Sequence, residues 1–266
     1  MTNLRLEQVV IEPGESAIKE SSDISAVECE FNGKYPFWHV HNFEIERCQF
    51  NEGARAALWY SSKLRMRDTK VLAPKMFREM SELSLENVSL PNALETLWFC
   101  REVRLRNVQV EHGDYLLLGS SDIQVDNLQL NGNYSFQKCR KVTVKNSVLH
   151  SKDAFWETED VVVENCILDG EYLGWHSKNL RLVNCTISGT QPLCYAENLV
   201  LENCSFSADA DLAFEYSAVR ATIQGPVHSI KNPLTGHIKA LSCGQIILDE
   251  NLRAPGDCVI ELAQSS

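Results

Sequence analysis

A repeat of 19 or 20 residues constrains this chain more than any other feature. The segments LSLENVSL from Leu83, VRLRNVQV from Val103, IQVDNLQL from Ile123 and VTVKNSVL from Val142 align without gaps. VVVENCIL from Val161, LRLVNCTI from Leu180 and LVLENCSF from Leu199 continue the series. Weaker copies begin at Leu4, Ile24, Phe43 and Leu64 upstream and at Val219 and Ile238 downstream. A short unit repeated along a chain cannot bury its apolar face alone, so neighbouring units must stack on one another.

Within each copy apolar residues alternate before the Asn and again after it, which is the period of a strand with one face inward. Asn87, Asn107, Asn127, Asn146, Asn165, Asn184 and Asn203 fall where the chain must turn, a position that asparagine tolerates. Stacked coils place them in a column, expected here as an internal ladder that satisfies buried turn amides. After a polar, Gly-containing loop a third short strand is expected, as in YLGWH from Tyr172. Three strands per coil, without a strict hexapeptide repeat, predict an all-β, right-handed, single-stranded parallel β-helix. About a dozen coils would form one domain over residues 1–266. The outward residues before each Asn (Glu46, Arg67, Glu86, Arg106, Asp126, Lys145, Glu164) alternate in sign, which favours the same register.

Several local strings are more specific than the repeat: YPFWH from Tyr35, RAALWYS from Arg55, KDAFW from Lys152, GEYLGW from Gly170, GTQPLCY from Gly189 and SIKNP from Ser229. Together, over nearly the full length, they resemble a bacterial family of uncharacterised proteins, a domain of unknown function with the pectin-lyase-like β-helix architecture. The resemblance implies the fold and assigns no catalytic residues. The wider architecture includes polysaccharide lyases and glycosidases, but fold alone does not carry function. This sequence has neither a calcium-binding carboxylate cluster nor a set of adjacent aspartates.

The net charge of −11 argues against nucleic acid or an anionic membrane as partner. No opening signal peptide and no membrane-length apolar stretch is visible. The ten cysteines lack C-x-x-C pairs, so they read as reduced core thiols of a cytoplasmic protein. Cys29, Cys48, Cys166, Cys185 and Cys204 follow the Asn position and are expected inside, whereas the parity of Cys194 points outward. The histidines are scattered except for His39 and His41, too few for a metal site, and no cofactor is expected.

Chemistry is expected on the third strand. Trp38, Trp59, Phe77, Trp98, Phe136, Trp156, Trp175, Tyr195 and Phe214 align as an aromatic column, either an outward stacking platform or an interior stack. Shared parity with small and aliphatic residues favours the interior. The flanking residues then face solvent, and among them Glu157 and His176 lie on successive coils. A carboxylate beside an imidazole suits general acid–base work, so this pair is the catalytic candidate. Tyr35, His39, Arg55, Tyr134, Asp153, Tyr172, Asp211 and Glu215 are the substrate-binding candidates. Asp153 and Asp211, roughly 14 Å apart from strand spacing, are too distant for a glycosidase pair. The expected ligand is an oligosaccharide or another small polar molecule. The alternative is a non-enzymatic scaffold that self-associates through open solenoid ends.

Overall fold

The computed structural model describes residues 2–56, 58–250 and 256–263. Two compact units divide the chain, residues 1–135 and 136–266. Each is a stack of parallel strands, with no α-helix among the described residues. Such β–loop–β returns take the right-handed crossover.

In the first unit the strands Thr2–Glu7, Ser22–Val27, His41–Glu46, Ser62–Arg67, Ser81–Leu90, Arg101–Val110 and Ser121–Asn131 stack in order. Leu4, Ile24, Phe43, Leu64, Leu83, Val103 and Ile123 fall on one register line. In the second unit Arg140–Lys145, Glu159–Glu164, Lys178–Val183, Leu199–Phe206, Ala218–Ile223, Thr235–Ala240 and Asp257–Leu262 form the equivalent side. The repeat slips near the end: Ile238 lies opposite Ala221 rather than Val219, because Ala218 pairs with Thr235 in a shortened coil.

Two left-handed corners shape each coil up to Asn203. Glu82 and Asn87, Glu102 and Asn107, Asp160 and Asn165, and Asn179 and Asn184 all have φ between 52° and 57°. The spacing gives sides of five residues, each sending two side chains inward, as Leu83 and Leu85 and then Val88 and Leu90. Asparagine is the non-glycine residue best suited to such corners.

The Asn column lies outside, contrary to the internal position expected. All seven asparagines are exposed, because a left-handed corner turns its side chain away from the coil. They still bond along the stack: Asn107 Nδ2 donates to Asn87 Oδ1 at 3.0 Å and Asn127 to Asn107 at 3.0 Å. In the second unit Asn184 donates to Asn165 at 3.1 Å. The alternating charges pair as their register requires, with Arg67 to Glu46 at 3.2 Å, Arg106 to Glu86 at 3.4 Å and Lys145 to Glu164 at 2.8 Å. These pairs are solvated, so each contributes at most about 1 kcal/mol.

In the coils before residue 217 the third side is not a strand; in the last coils it is formed by Pro226–Lys231 and Ser242–Ile247, which pair in parallel, with Ile230 bridging Ala213. Residues 152–157 and 171–176 are turns in which alternate residues are left-handed: Asp153, Phe155 and Glu157, then Tyr172, Gly174 and His176. Their peptide groups bond to the coils on either side, Glu157 N–H to Trp175 O at 2.9 Å and Gly174 N–H to Ala154 O at 2.8 Å. Period-two parity therefore fails here. Ala154 and Phe155 are buried in succession, and Trp156 and Glu157 then both face the outer wall.

Candidate functional site

That change of parity sorts the aromatic column. Phe77, Phe136 and Phe214 are fully buried, while Trp38, Trp59, Trp98, Trp156, Trp175 and Tyr195 are partly exposed on the outer wall. The interior placement expected for the tryptophans is thus corrected. The buried partners are their predecessors, Phe37, Leu58, Leu97 and Phe155. Successive large rings such as Phe37-Trp38 and Phe155-Trp156 are the sequence signal for this, since the first of each pair already fills the interior. Cys194, expected outside, is buried, and burial pushes its thiol up to about 12. Its predecessor Leu193 is buried as well, so the chain turns both inward at this coil.

In the second unit the outward rings form a connected wall. Trp156 and Trp175 lie 6.3 Å apart. His176 is stacked on Tyr195, and Trp175 meets Tyr195 edge-on at 5.2 Å. Tyr172 packs edge-on against Trp175 at 5.0 Å. Trp175 is fixed by a 2.7 Å hydrogen bond from its Nε1 to Gln191 O. Desolvation raises the Tyr195 phenol above its usual range, with the Glu215 charge adding to the shift.

Beside this wall runs a groove of about 460 Å³, lined by Arg140, Trp156, Glu157, Thr158, Glu159, His176, Lys178, Tyr195 and Glu197. Glu157 and His176 are therefore brought to one groove, but no hydrogen bond or ion pair joins them. Glu157 faces Lys138 at 3.5 Å and the His176 ring lies against Tyr195. Charge in the groove is balanced coil by coil: Arg140 pairs with Glu159 at 3.3 Å and Lys178 with Glu197 at 3.3 Å.

The other candidates of this unit occupy different settings. Asp153 is 3% exposed, and burial raises its carboxyl against the opposing charge of Lys152. Glu215 is 8% exposed and bound to Lys231 at 2.9 Å. Asp211 sits on the line of Glu171 rather than of Asp153 and Tyr172, since the Gln191 N–H bonds its carbonyl as the Asp153 N–H bonds that of Glu171. One Asp211 carboxylate oxygen is shielded without a hydrogen-bond partner.

In the first unit Tyr35 packs on Trp38 at 4.9 Å, and His39 stacks on Tyr60 at 5.2 Å. Tyr134 stacks on Tyr115 at 4.8 Å with planes 10° apart. Arg55 is exposed, and its carbonyl accepts the Tyr35 N–H at 3.4 Å. His41 turns to Ser62 Oγ at 2.7 Å, away from the His39 contact. Among the described residues no group of three or more His, Cys, Asp and Glu is arranged to hold a metal ion, and no helix is long and apolar enough to cross a membrane.

Solved structures match the chain at low identity. The Streptococcus pneumoniae surface protein and adhesin PfbA is 9% identical, with 90% of this chain and 77% of that one covered and a TM-score of 0.44. The mannuronan C-5 epimerase AlgE4 A-module of Azotobacter vinelandii is 12% identical, with coverage of 98% and 76% and a TM-score of 0.31. The fluoroquinolone resistance protein QnrB1 is 15% identical, with coverage of 76% and 91% and a TM-score of 0.28. No curated protein matches the chain. Over residues 1–261 the chain matches the family described as "Protein of unknown function (DUF3737)", and it belongs to that family.

Proposed function

We propose that the third side of the second unit binds carbohydrate, with Trp156, Trp175, His176 and Tyr195 as the stacking surface. The observation that carries this reading is a connected row of partly exposed rings along a groove of about 460 Å³. A pyranose presents an apolar C–H face to a ring and hydroxyls to its rim. Here the rim holds acids and bases in matched pairs, which suits a neutral polyhydroxylated ligand better than a charged one. Glu157, Lys138, Glu159 and Lys178 supply hydroxyl-bonding groups, and His176 adds a ring face and two nitrogens.

The arrangement favours binding over bond cleavage. Glu157 is engaged with Lys138 and the His176 ring with Tyr195, so the pair stands in the groove without the mutual hydrogen bond that orients a general base. The ten free thiols, eight of them buried, fit a protein working in a reducing compartment such as the cytoplasm.

A second reading, self-association, has its own observation: Leu241, Ile246, Leu248 and Val259 are exposed apolar residues of the last coils of the second unit. Probing a glycan array with the wild-type chain and with Trp175→Ala/His176→Ala separates the two. The carbohydrate reading expects wild-type signals that the variant loses. Signals that survive the double substitution, or a blank array with a concentration-dependent oligomer in light scattering, would favour self-association.

A further inference from the structure

The pentapeptide Y-x-x-W-H occurs twice in the sequence, as YPFWH from Tyr35 in the first unit and as YLGWH from Tyr172 in the second. In both copies the Tyr and Trp are half-buried, the two residues between them are buried, and the His is exposed. The residues that agree are therefore the outward ones, while the buried pairs, Pro36-Phe37 and Leu173-Gly174, differ. Core packing alone would leave the opposite pattern, since it constrains the inward side chains and leaves the outward ones free.

The agreement extends to the coils on either side. Glu20 N–H bonds Trp38 O at 2.9 Å and His39 N–H bonds Trp59 O at 3.2 Å, which sets Glu20, His39 and Tyr60 in one column. Glu157 N–H bonds Trp175 O at 2.9 Å and His176 N–H bonds Cys194 O at 3.3 Å, which sets Glu157, His176 and Tyr195 in the equivalent column. All six residues are left-handed, with φ between 48° and 58°. The ring contacts repeat as well. Tyr35 packs on Trp38 at 4.9 Å as Tyr172 does on Trp175 at 5.0 Å. His39 stacks on Tyr60 at 5.2 Å as His176 does on Tyr195 at 4.9 Å. Stacked coils do not require these residues, because Glu79 and Phe99 continue the same column in the first unit.

The two copies differ in their second indole. Lys19 precedes Glu20 where Trp156 precedes Glu157, and the Trp59 ring beside Tyr60 is engaged with the Arg78 guanidinium at 5.0 Å. The first unit thus presents one free indole fewer.

We propose that the first unit carries a second saccharide site of the same kind, with Trp38, His39 and Tyr60 meeting a neutral sugar as Trp175, His176 and Tyr195 do. The proposal rests on the carbohydrate reading of the second unit. With one stacking ring fewer, the first site binds roughly tenfold more weakly, the upper range of one aromatic contact. Two sites of one kind suit a glycan of repeating units, since every repeat presents the same face.

The test is calorimetric titration of the full chain with three neutral trisaccharides: cellotriose, maltotriose and triacetylchitotriose. His39→Asn/Tyr60→Asn and His176→Asn/Tyr195→Asn are titrated alongside. Asparagine removes each ring and suits the left-handed backbone, and all four side chains lie outside the core. The proposal expects two binding steps, about tenfold apart, with one of the three sugars. His39→Asn/Tyr60→Asn should lose the weaker step and keep the tighter, and His176→Asn/Tyr195→Asn should do the reverse. A single step that survives His39→Asn/Tyr60→Asn at wild-type affinity and is lost in His176→Asn/Tyr195→Asn would overturn this proposal and leave the carbohydrate reading standing. No binding of any of the three sugars, or two steps that neither variant changes, would overturn both.

Discussion

His176 and Tyr195 lie ring to ring on successive coils, their centroids 4.9 Å apart and their planes 14° from parallel. Both residues have positive φ, so the same left-handed turn that lifts one ring out of the coil lifts the other above it. A ligand face laid on one meets the other.

Removing either ring should therefore weaken binding by a similar amount. His176→Ala and Tyr195→Ala are each expected to reduce affinity for a bound oligosaccharide by roughly 3- to 10-fold, the range of one aromatic stacking contact. Titrations followed by tryptophan fluorescence read this directly, since Trp175 adjoins both rings and Trp156 adjoins His176. A loss confined to one variant contradicts a shared surface.

The Glu215–Lys231 pair closes the same wall and is more sheltered than the ion pairs of the groove. Lys231→Met leaves a poorly hydrated carboxylate behind and should destabilise by about 1–3 kcal/mol, less than a wholly buried pair would. Glu215→Gln/Lys231→Met should recover most of that loss. Urea midpoints of the two variants decide it.

Gly170 has φ 154°, and a Cβ placed there would stand 2.3 Å from Ser151 O, where the two coils meet backbone to backbone. Gly170→Ala is expected to cost about 2–4 kcal/mol, since neither the turn nor the facing carbonyl can yield cheaply. Equilibrium urea unfolding measures it, and a change under 1 kcal/mol would show that the coils separate without penalty.

The Asp169 carboxylate is held below the ordinary range, first by the Ser188 hydroxyl at 2.8 Å and then by His150 Nδ1 at 2.8 Å. A folded-state value below the unfolded one adds stability that is present above the unfolded pKa and lost as pH falls through the folded one. Asp169→Asn should therefore be less stable than wild type at neutral pH, with the gap closing below about pH 4. Unfolding midpoints at several pH values follow it; a gap that persists at low pH contradicts the assignment.

Thiol reactivity should follow burial. Cys100 and Cys194 are pushed up to about 12 by desolvation, whereas Cys243 and Cys258 are the two that are not fully buried. Native labelling with a thiol reagent should reach Cys243 and Cys258 and spare the rest until denaturant is added. Peptide mapping of the labelled chain checks this.

The repeat made the coils legible because each Leu-x-Leu before an Asn states both a strand period and a corner. The same reasoning placed Cys29, Cys48, Cys166, Cys185 and Cys204 in the interior, where they lie. It failed where the backbone leaves the strand region. A sequence pattern of period two cannot reveal that Phe155 and Glu157 are left-handed, so Trp156 was counted with the interior although Phe155 beside it already filled that space. The seven asparagines carried the corner signal but not its sense, which turns their side chains outward. Glu157 and His176 were placed on adjacent coils of one face, and they do line one groove. Their separate engagement with Lys138 and Tyr195 depends on side-chain packing that repeat spacing does not encode.

The most direct test of carbohydrate binding on the second unit is calorimetric titration of a neutral oligosaccharide, selected by array, into wild type and into Trp156→Ala/Trp175→Ala. Saturable binding by wild type that falls at least roughly tenfold in the variant, with unfolding midpoints unchanged, is the predicted result. Equal affinity in the two proteins would place the ligand elsewhere and contradict the account.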